Sequence, residues 1–285
     1  MELKKRVLKT VKDEILNLQK LLDEYYNVIK LIKKAPIDNC IIIEKIISNI
    51  EKIIKKSNLN IEIKNELDSF AQLLYPKISE WKEKFKRNFG IELENLLKII
   101  GFELKGNYPL LKTSLYSLEI DFDKSQVVMW YGPKQEKLEF CDLNTETIIQ
   151  EIKKHNENIT KRDFIDDQFL SVLKKAYNIS VYQMGKKEGD SIPIMDVLLN
   201  YIFLIQKKKF RENPDKMNYF DYNRVLFSYD LYKLKKRILE KHELNLITAT
   251  RAFTKNHSDF IWIPSTDKGD GNYISHILFR EIKNE

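Results

Sequence analysis

Cysteine is nearly missing from this chain. Cys40 and Cys141 stand about a hundred residues apart in a sequence of 285, with no Cys or His at metal-ligand spacing. That excludes a disulfide framework and gives no zinc site or other cofactor, so a reducing cytoplasm is the expected compartment. Glycine and proline are also scarce, at eight and seven residues, too few for a loop-rich all-β fold. No window reaches the ~18 apolar residues of a membrane span. The opening MELKKRVLKTVKDEILNLQ is charged every few residues and has no apolar stretch of signal-peptide length. The most apolar window, Ile194 to Ile205, is broken by Asp196 and Asn200 and reads as a core helix.

The nucleotide and hydrolase motifs are missing as well. There is no Gly-x-x-x-x-Gly-Lys-[Ser/Thr], no Gly-x-Gly-x-x-Gly, no His-Glu-x-x-His and no Gly-x-Ser-x-Gly. The Asp267 to Asn272 turn lacks the acidic spacing and closing Glu of an EF-hand and reads as a Gly-rich hairpin.

Charge and apolar patterning are plentiful. Hydrophobic residues make up 43% of the chain, enough for a core, and 49 Lys+Arg against 42 Asp+Glu leave a net +7 on a mixed surface. Leu8, Val11, Ile15, Leu18, Leu22, Tyr25, Ile29 and Ile32 alternate spacings of 3 and 4, a heptad seam on a helix over about 3–34. Pro36 stops it. Ile43, Ile46, Ile50 and Ile53 imply a second helix after Asp38, and Ser57 to Asn60 a connector. A third helix over about 61–88 carries Leu67, Phe70, Leu74, Ile78, Trp81 and Phe85 on one face; Pro76 should kink or split it and Gly90 end it. The seam either closes an intramolecular three-helix bundle or pairs with a second chain as an oligomerisation or docking arm.

From Leu115 to Phe140 the pattern turns to a three-stranded meander, with turns at Asp123-Lys124-Ser125 and Gly132-Pro133. Helices are expected at about 144–156 (cap Asn144 or Thr145), 163–177 (Asp163), 192–209 (Ser191 before Pro193) and 228–241 (Ser228). Met184 to Asp190 is the best linker candidate. Leu244 to Phe253, Phe260 to Ile263 and Tyr273 to Ile282 form a second meander. The expected fold class is α+β: an N-terminal antiparallel helical bundle or coiled-coil arm (1–89), a central mixed domain (90–190) and a C-terminal helix-plus-meander module (191–285) with the outline of a winged helix.

Between Arg224 and Lys255 eight basic residues stand against three acidic ones. On a helix from Ser228, Lys233, Lys236 and Arg237 share a face; Arg224, Arg251 and Lys255 extend the patch. Tyr219, Phe220, Tyr222, Phe227, Tyr229 and Tyr232 offer stacking surfaces. The plain alternative is a solvated helix face over an aromatic core. An enzyme reading would use His257, His276 and Arg251 as a metal-independent ribonuclease or toxin. Glu281-Ile-Lys283 resembles the Glu-x-Lys half of the PD-(D/E)xK nuclease motif, with Asp267 or Asp259 as upstream acid, over three residues only. Glu119, Asp121 and Asp123 alternate along one strand and read as solvated carboxylates or a cation site. The sequence points to a non-enzymatic, prokaryotic, nucleic-acid-binding accessory subunit, DNA ahead of RNA, in a larger DNA-processing or phage-defence assembly, with no membrane contact. A protein-interaction scaffold whose basic face meets an acidic partner is the third reading.

Overall fold

The computed structural model describes residues 2–57 and 61–282, with side chains from residue 4 onward. The chain divides into two compact units, Met1–Leu96 with Phe122–Ser125, and Leu97–Asp121 with Gln126–Glu285.

The first unit is helical. Helices α1 (Glu2–Lys34), α2 (Cys40–Lys56) and α3 (Ile61–Ile99) supply it, α3 running on past its end. The isoleucine periodicity of α2 becomes the core: Ile43, Ile46, Ile47, Ile50 and Ile54 are buried against Leu21 and Val28 of α1 and Ala71, Leu74 and Ile78 of α3. Only the carboxy half of α1 takes part. α3 departs from expectation, because Pro76 lies inside one continuous helix and Gly90 is passed without a break. The periodicity resumes beyond Gly90 with Leu93 and Leu97, both fully buried, and that burial outweighs glycine's helix penalty of about 1 kcal/mol. The real stop is Gly101, at φ +80°. There Phe102 N–H bonds Leu97 C=O at 2.9 Å and Gly101 N–H bonds Lys98 C=O at 3.0 Å, the paired bonds of a Schellman cap.

The second unit contains two antiparallel sheets and the remaining helices, which makes the chain α+β. The first sheet is a five-stranded meander, β1 (Lys105–Asn107), β2 (Leu110–Thr113), β3 (Tyr116–Asp121), β4 (Gln126–Tyr131) and β5 (Glu136–Asp142), in sequential order. Its last three strands and both turns lie where the alternation puts them; β1 and β2 are additions. Then come α4 (Thr145–Thr160), α5 (Asp166–Gln183), β6 (Ile192–Pro193), α6 (Ile194–Leu204), the short α7 (Lys208–Glu212), α8 (Arg224–Lys233), β7 (Ile238–Leu239), β8 (His242–Thr248), β9 (Ile261–Pro264) and β10 (Gly271–Glu281). Asn144 caps α4 by accepting from Thr147 N–H at 2.9 Å. α5 begins at Asp166 without a side-chain cap, so Asp163 does not cap it. The helix expected over 192–209 is shorter at both ends: Ile192 and Pro193 pair with β10 instead, and α6 stops at Leu204.

The C-terminal strands are not a meander. β10 is central: it pairs β8 on the path β6-β10-β8-β7 and also pairs β9. The Asp267 to Asn272 segment does form the β9–β10 turn, with Ser265 N–H bonding Asp270 C=O at 2.7 Å. Trp262 of β9 lies against two glycines. A Cβ at Gly132 (φ +63°) would come within 2.5 Å of its ring, and one at Gly271 within 2.6 Å; both positions therefore require glycine. Tyr131 Oη lies 3.1 Å from Ser228 Oγ, which donates to Trp262 C=O, so β4, α8 and β9 share one buried chain of hydroxyls.

Candidate nucleic-acid interface

Helix α8 (Arg224–Lys233) starts four residues before the expected position and ends eight before the expected stop. Asn223 is its cap, accepting from Leu226 N–H at 3.1 Å, and Ser228 is a buried interior residue. Val225 and the unbroken run Phe227 to Leu231 are buried. A helix enclosed on every side cannot enter a DNA groove, which corrects the winged-helix outline. The stacking surface shrinks for the same reason: Tyr222, Phe227 and Tyr229 are core, Tyr232 donates to Asp267 at 2.8 Å, and Tyr219 and Phe220 remain partly exposed.

The basic residues therefore do not share a helical face. Beyond Lys233 the chain is extended, held there because the N–H groups of Lys235 and Lys236 both donate to Asp166 Oδ2 at 3.0 Å. Lys236 Nζ pairs with Asp167 at 2.9 Å, and Lys233 Nζ lies 5.4 Å from the centre of the Phe164 ring. Arg224 is a structural cross-brace. Its guanidinium meets Glu136 at 2.5 Å and donates to the carbonyls of His257 and Phe260 at 2.9 and 2.7 Å. These three cations are engaged within the protein.

Arg237, Arg251 and Lys255 differ. All three are exposed and have no ion-pair or hydrogen-bond partner for their side chains among the described residues. Arg237 lines an open cleft of about 390 Å³ together with Tyr232, Thr248, Ser265 and Asn272 and with the apolar Leu246, Ile263 and Ile274. Arg251 and Lys255 follow in the segment 250–258, every residue of which is exposed. A guanidinium beside hydroxyl and amide groups, in an open polar cleft, suits phosphate oxygens.

The residues of the ribonuclease reading have separate partners. His257 Nε2 bonds the carbonyl of Gln135 and lies 3.3 Å from Glu136. A carbonyl only accepts, so Nε2 carries the proton. His276 Nδ1 is 2.9 Å from Ser275 Oγ, and its ring meets Phe253 edge-on at 4.9 Å. Burial, reinforced by the Lys186 charge, holds His276 below the usual imidazole range. No hydrogen bond or ring contact joins the two histidines, or either to Arg251, among the described residues. Glu281 ends β10, while Lys283 lies outside the described residues. Glu119 accepts from Trp130 Nε1 at 3.2 Å and pairs with Lys134 at 2.7 Å; Asp123 lies in the turn beyond β3 and meets Lys82 at 3.3 Å. The three alternating carboxylates therefore do not form one cation site.

The N-terminal seam divides in two. Leu8, Val11, Ile15 and Leu22 are 51–62% exposed; Leu18, Tyr25, Ile29 and Ile32 are half-buried. The turns that pack use the neighbouring positions Leu21 and Val28. Missed by sequence reasoning were a side-chain pair on α4, Glu151 and His155, and the cleft polar groups Thr248, Ser265 and Asn272. The i, i+4 spacing of the pair on a helix was a usable signal; for the cleft there was none, since its walls come from separate strands. No family model matches the chain, and no curated protein or solved structure is similar to it.

Proposed function

We propose that this chain is a non-enzymatic accessory subunit that holds a nucleic-acid backbone along the line Arg237, Arg251 and Lys255, and joins a second copy of itself through the amino half of α1. The observation that carries the reading is Arg237: an exposed, unpaired guanidinium in a cleft where Thr248, Ser265 and Asn272 can also donate to phosphate, the Tyr232 hydroxyl being given to Asp267. Contacts of this kind position a backbone without reading its sequence. Assembly is supported by the exposed seam. Leu8, Val11 and Ile15, apolar residues at a and d positions that are more than half exposed, are what a helical partner covers, and no charge at those positions demands an opposite one.

The test is fluorescence anisotropy of labelled duplex DNA, single-stranded DNA and RNA at low salt, with two sets of substitutions. Arg237→Glu and the pair Arg251→Glu/Lys255→Glu should each weaken binding at least about tenfold, as the loss of phosphate contacts implies. Lys233→Glu and Lys236→Glu should change it far less, since those cations already have partners. Equal losses in both sets, or no binding by the wild-type chain, would overturn the reading. The second outcome would leave an acidic protein as the partner for the same surface.

A further inference from the structure

β5 and α4 lie adjacent in sequence and pack together, and their facing side chains form a group unrelated to the basic edge. Glu139 comes from β5; Glu151 and His155, four apart, lie on one face of α4. One carboxylate oxygen of each Glu and a ring nitrogen of His155 all lie within 4.8 Å of one another. All three residues are half-buried. His155 Nε2 points towards Glu151 at 3.9 Å, too far for a hydrogen bond. It is closed off from solvent and has no hydrogen-bond partner.

A buried ring nitrogen without a partner is costly, and it stands where two carboxylates converge. We propose that Glu139, Glu151 and His155 form a binding site for a divalent transition metal of the zinc class. An imidazole with two carboxylates suits Zn²⁺ and its neighbours in the first transition row and is a poor set for Mg²⁺ or Ca²⁺, which prefer oxygen alone. Three atoms no more than 4.8 Å apart share a centre at most about 2.8 Å from each, and small side-chain rotations bring that to the roughly 2.0–2.2 Å of Zn–N and Zn–O bonds. Glu151 also pairs with Lys154 at 2.7 Å. Lys154 is more than half exposed in that pair, so it can move aside into water as the cation enters. Three protein ligands leave a fourth position for water or an exogenous group, as in open zinc sites. His155 also lines a cavity of about 620 Å³ with Leu138, Ile159, Leu199 and Ile202, a volume in the range of small-molecule sites. The inference does not rest on the nucleic-acid reading.

The test is isothermal titration of Zn²⁺ into the untagged, EDTA-stripped full chain, followed by Co²⁺ substitution and visible absorption spectroscopy. One Zn²⁺ per chain is expected. His155→Gln should weaken binding by at least about 10- to 100-fold, the loss that removal of even an outer partner of a metal ligand produces. Glu139→Gln should weaken it similarly, while His257→Gln and His242→Gln, the other histidines beside carboxylates, leave it unchanged. Circular dichroism confirms that each variant is folded, and Glu139→Gln decides the matter if His155→Gln is not. No binding by the wild-type chain, wild-type affinity in both the His155 and Glu139 variants, or losses as large in the His257 and His242 variants, would overturn the proposal; the last would identify an adventitious surface ion.

Discussion

Asp230 has a buried carboxylate, with a side chain 5% exposed. It takes Arg162 at 2.5 Å and the Tyr222 hydroxyl at 2.7 Å. Burial pushes the carboxyl above its usual range, opposed by the Tyr222 bond and the Arg162 charge. Removing one partner of a buried pair strands the other, so Arg162→Met should cost about 3 kcal/mol of unfolding free energy, read by urea denaturation at neutral pH; a loss below about 1 kcal/mol would deny the pair this role. His276 gives a pH dependence. Its folded pKa lies below the ordinary 6.5, so the unfolded chain binds more protons over the interval between the two values. Its contribution is complete above that ordinary value and is lost as pH falls through it towards the folded one. The melting temperature should therefore drop on acidification from pH 7 to 5, by less in His276→Gln; an unchanged slope in the variant would refute the assignment. Asp230 could not be singled out from the sequence, and His276 could be singled out only for a different role, since both roles here depend on burial by distant elements.

Among the elements, α2 and the strands β3, β4 and β5 were legible because their apolar spacing matches their period, and α1 was legible as a helix although its packed positions are Leu21 and Val28 rather than the seam. α8 was not legible. It buries the polar Ser228 and Asp230 among its apolar residues, so it has no periodic contrast, and Ser228 offered a plausible false cap while the true one, Asn223, stood among aromatics. The basic run that follows then looked helical, whereas Asp166 at the start of α5, nearly seventy residues away, holds it extended. α3 misled in the other direction, because Pro76 and Gly90 are local signals that long-range burial overrides. Pro76 leaves one helical carbonyl without its bond. Pro76→Ala should therefore leave helix content unchanged and raise stability by about 1–3 kcal/mol, measured by circular dichroism and urea titration; destabilisation would mean that the proline ring packs where alanine cannot. For α1, sedimentation velocity across a concentration series should find the wild-type chain self-associating and Leu8→Glu/Ile15→Glu monomeric with its helices intact. A wild-type chain that is monomeric throughout would remove the second copy as the partner.

At the scale of the whole molecule, helices first and antiparallel sheets after them could be read from the order of periodicities. That β10 sits in the centre of its sheet could not, because strand order is fixed by pairings between segments far apart in sequence. The same limit applied to the surface. The sequence located the concentration of positive charge, but which cations remain available was decided by Glu136, Asp166, Asp167 and Phe164, all outside that segment. Burial and pairing leave Arg237, Arg251 and Lys255 exposed and unengaged. The central claim is that these three, rather than a basic helix, meet phosphate. Its most direct test is the salt dependence of duplex DNA binding by the intact chain. Three phosphate contacts, at about 0.9 each, predict a log-log slope near −2.7, and Arg237→Gln should reduce its magnitude by about one. A slope near zero, or one unchanged by Arg237→Gln, would contradict the account.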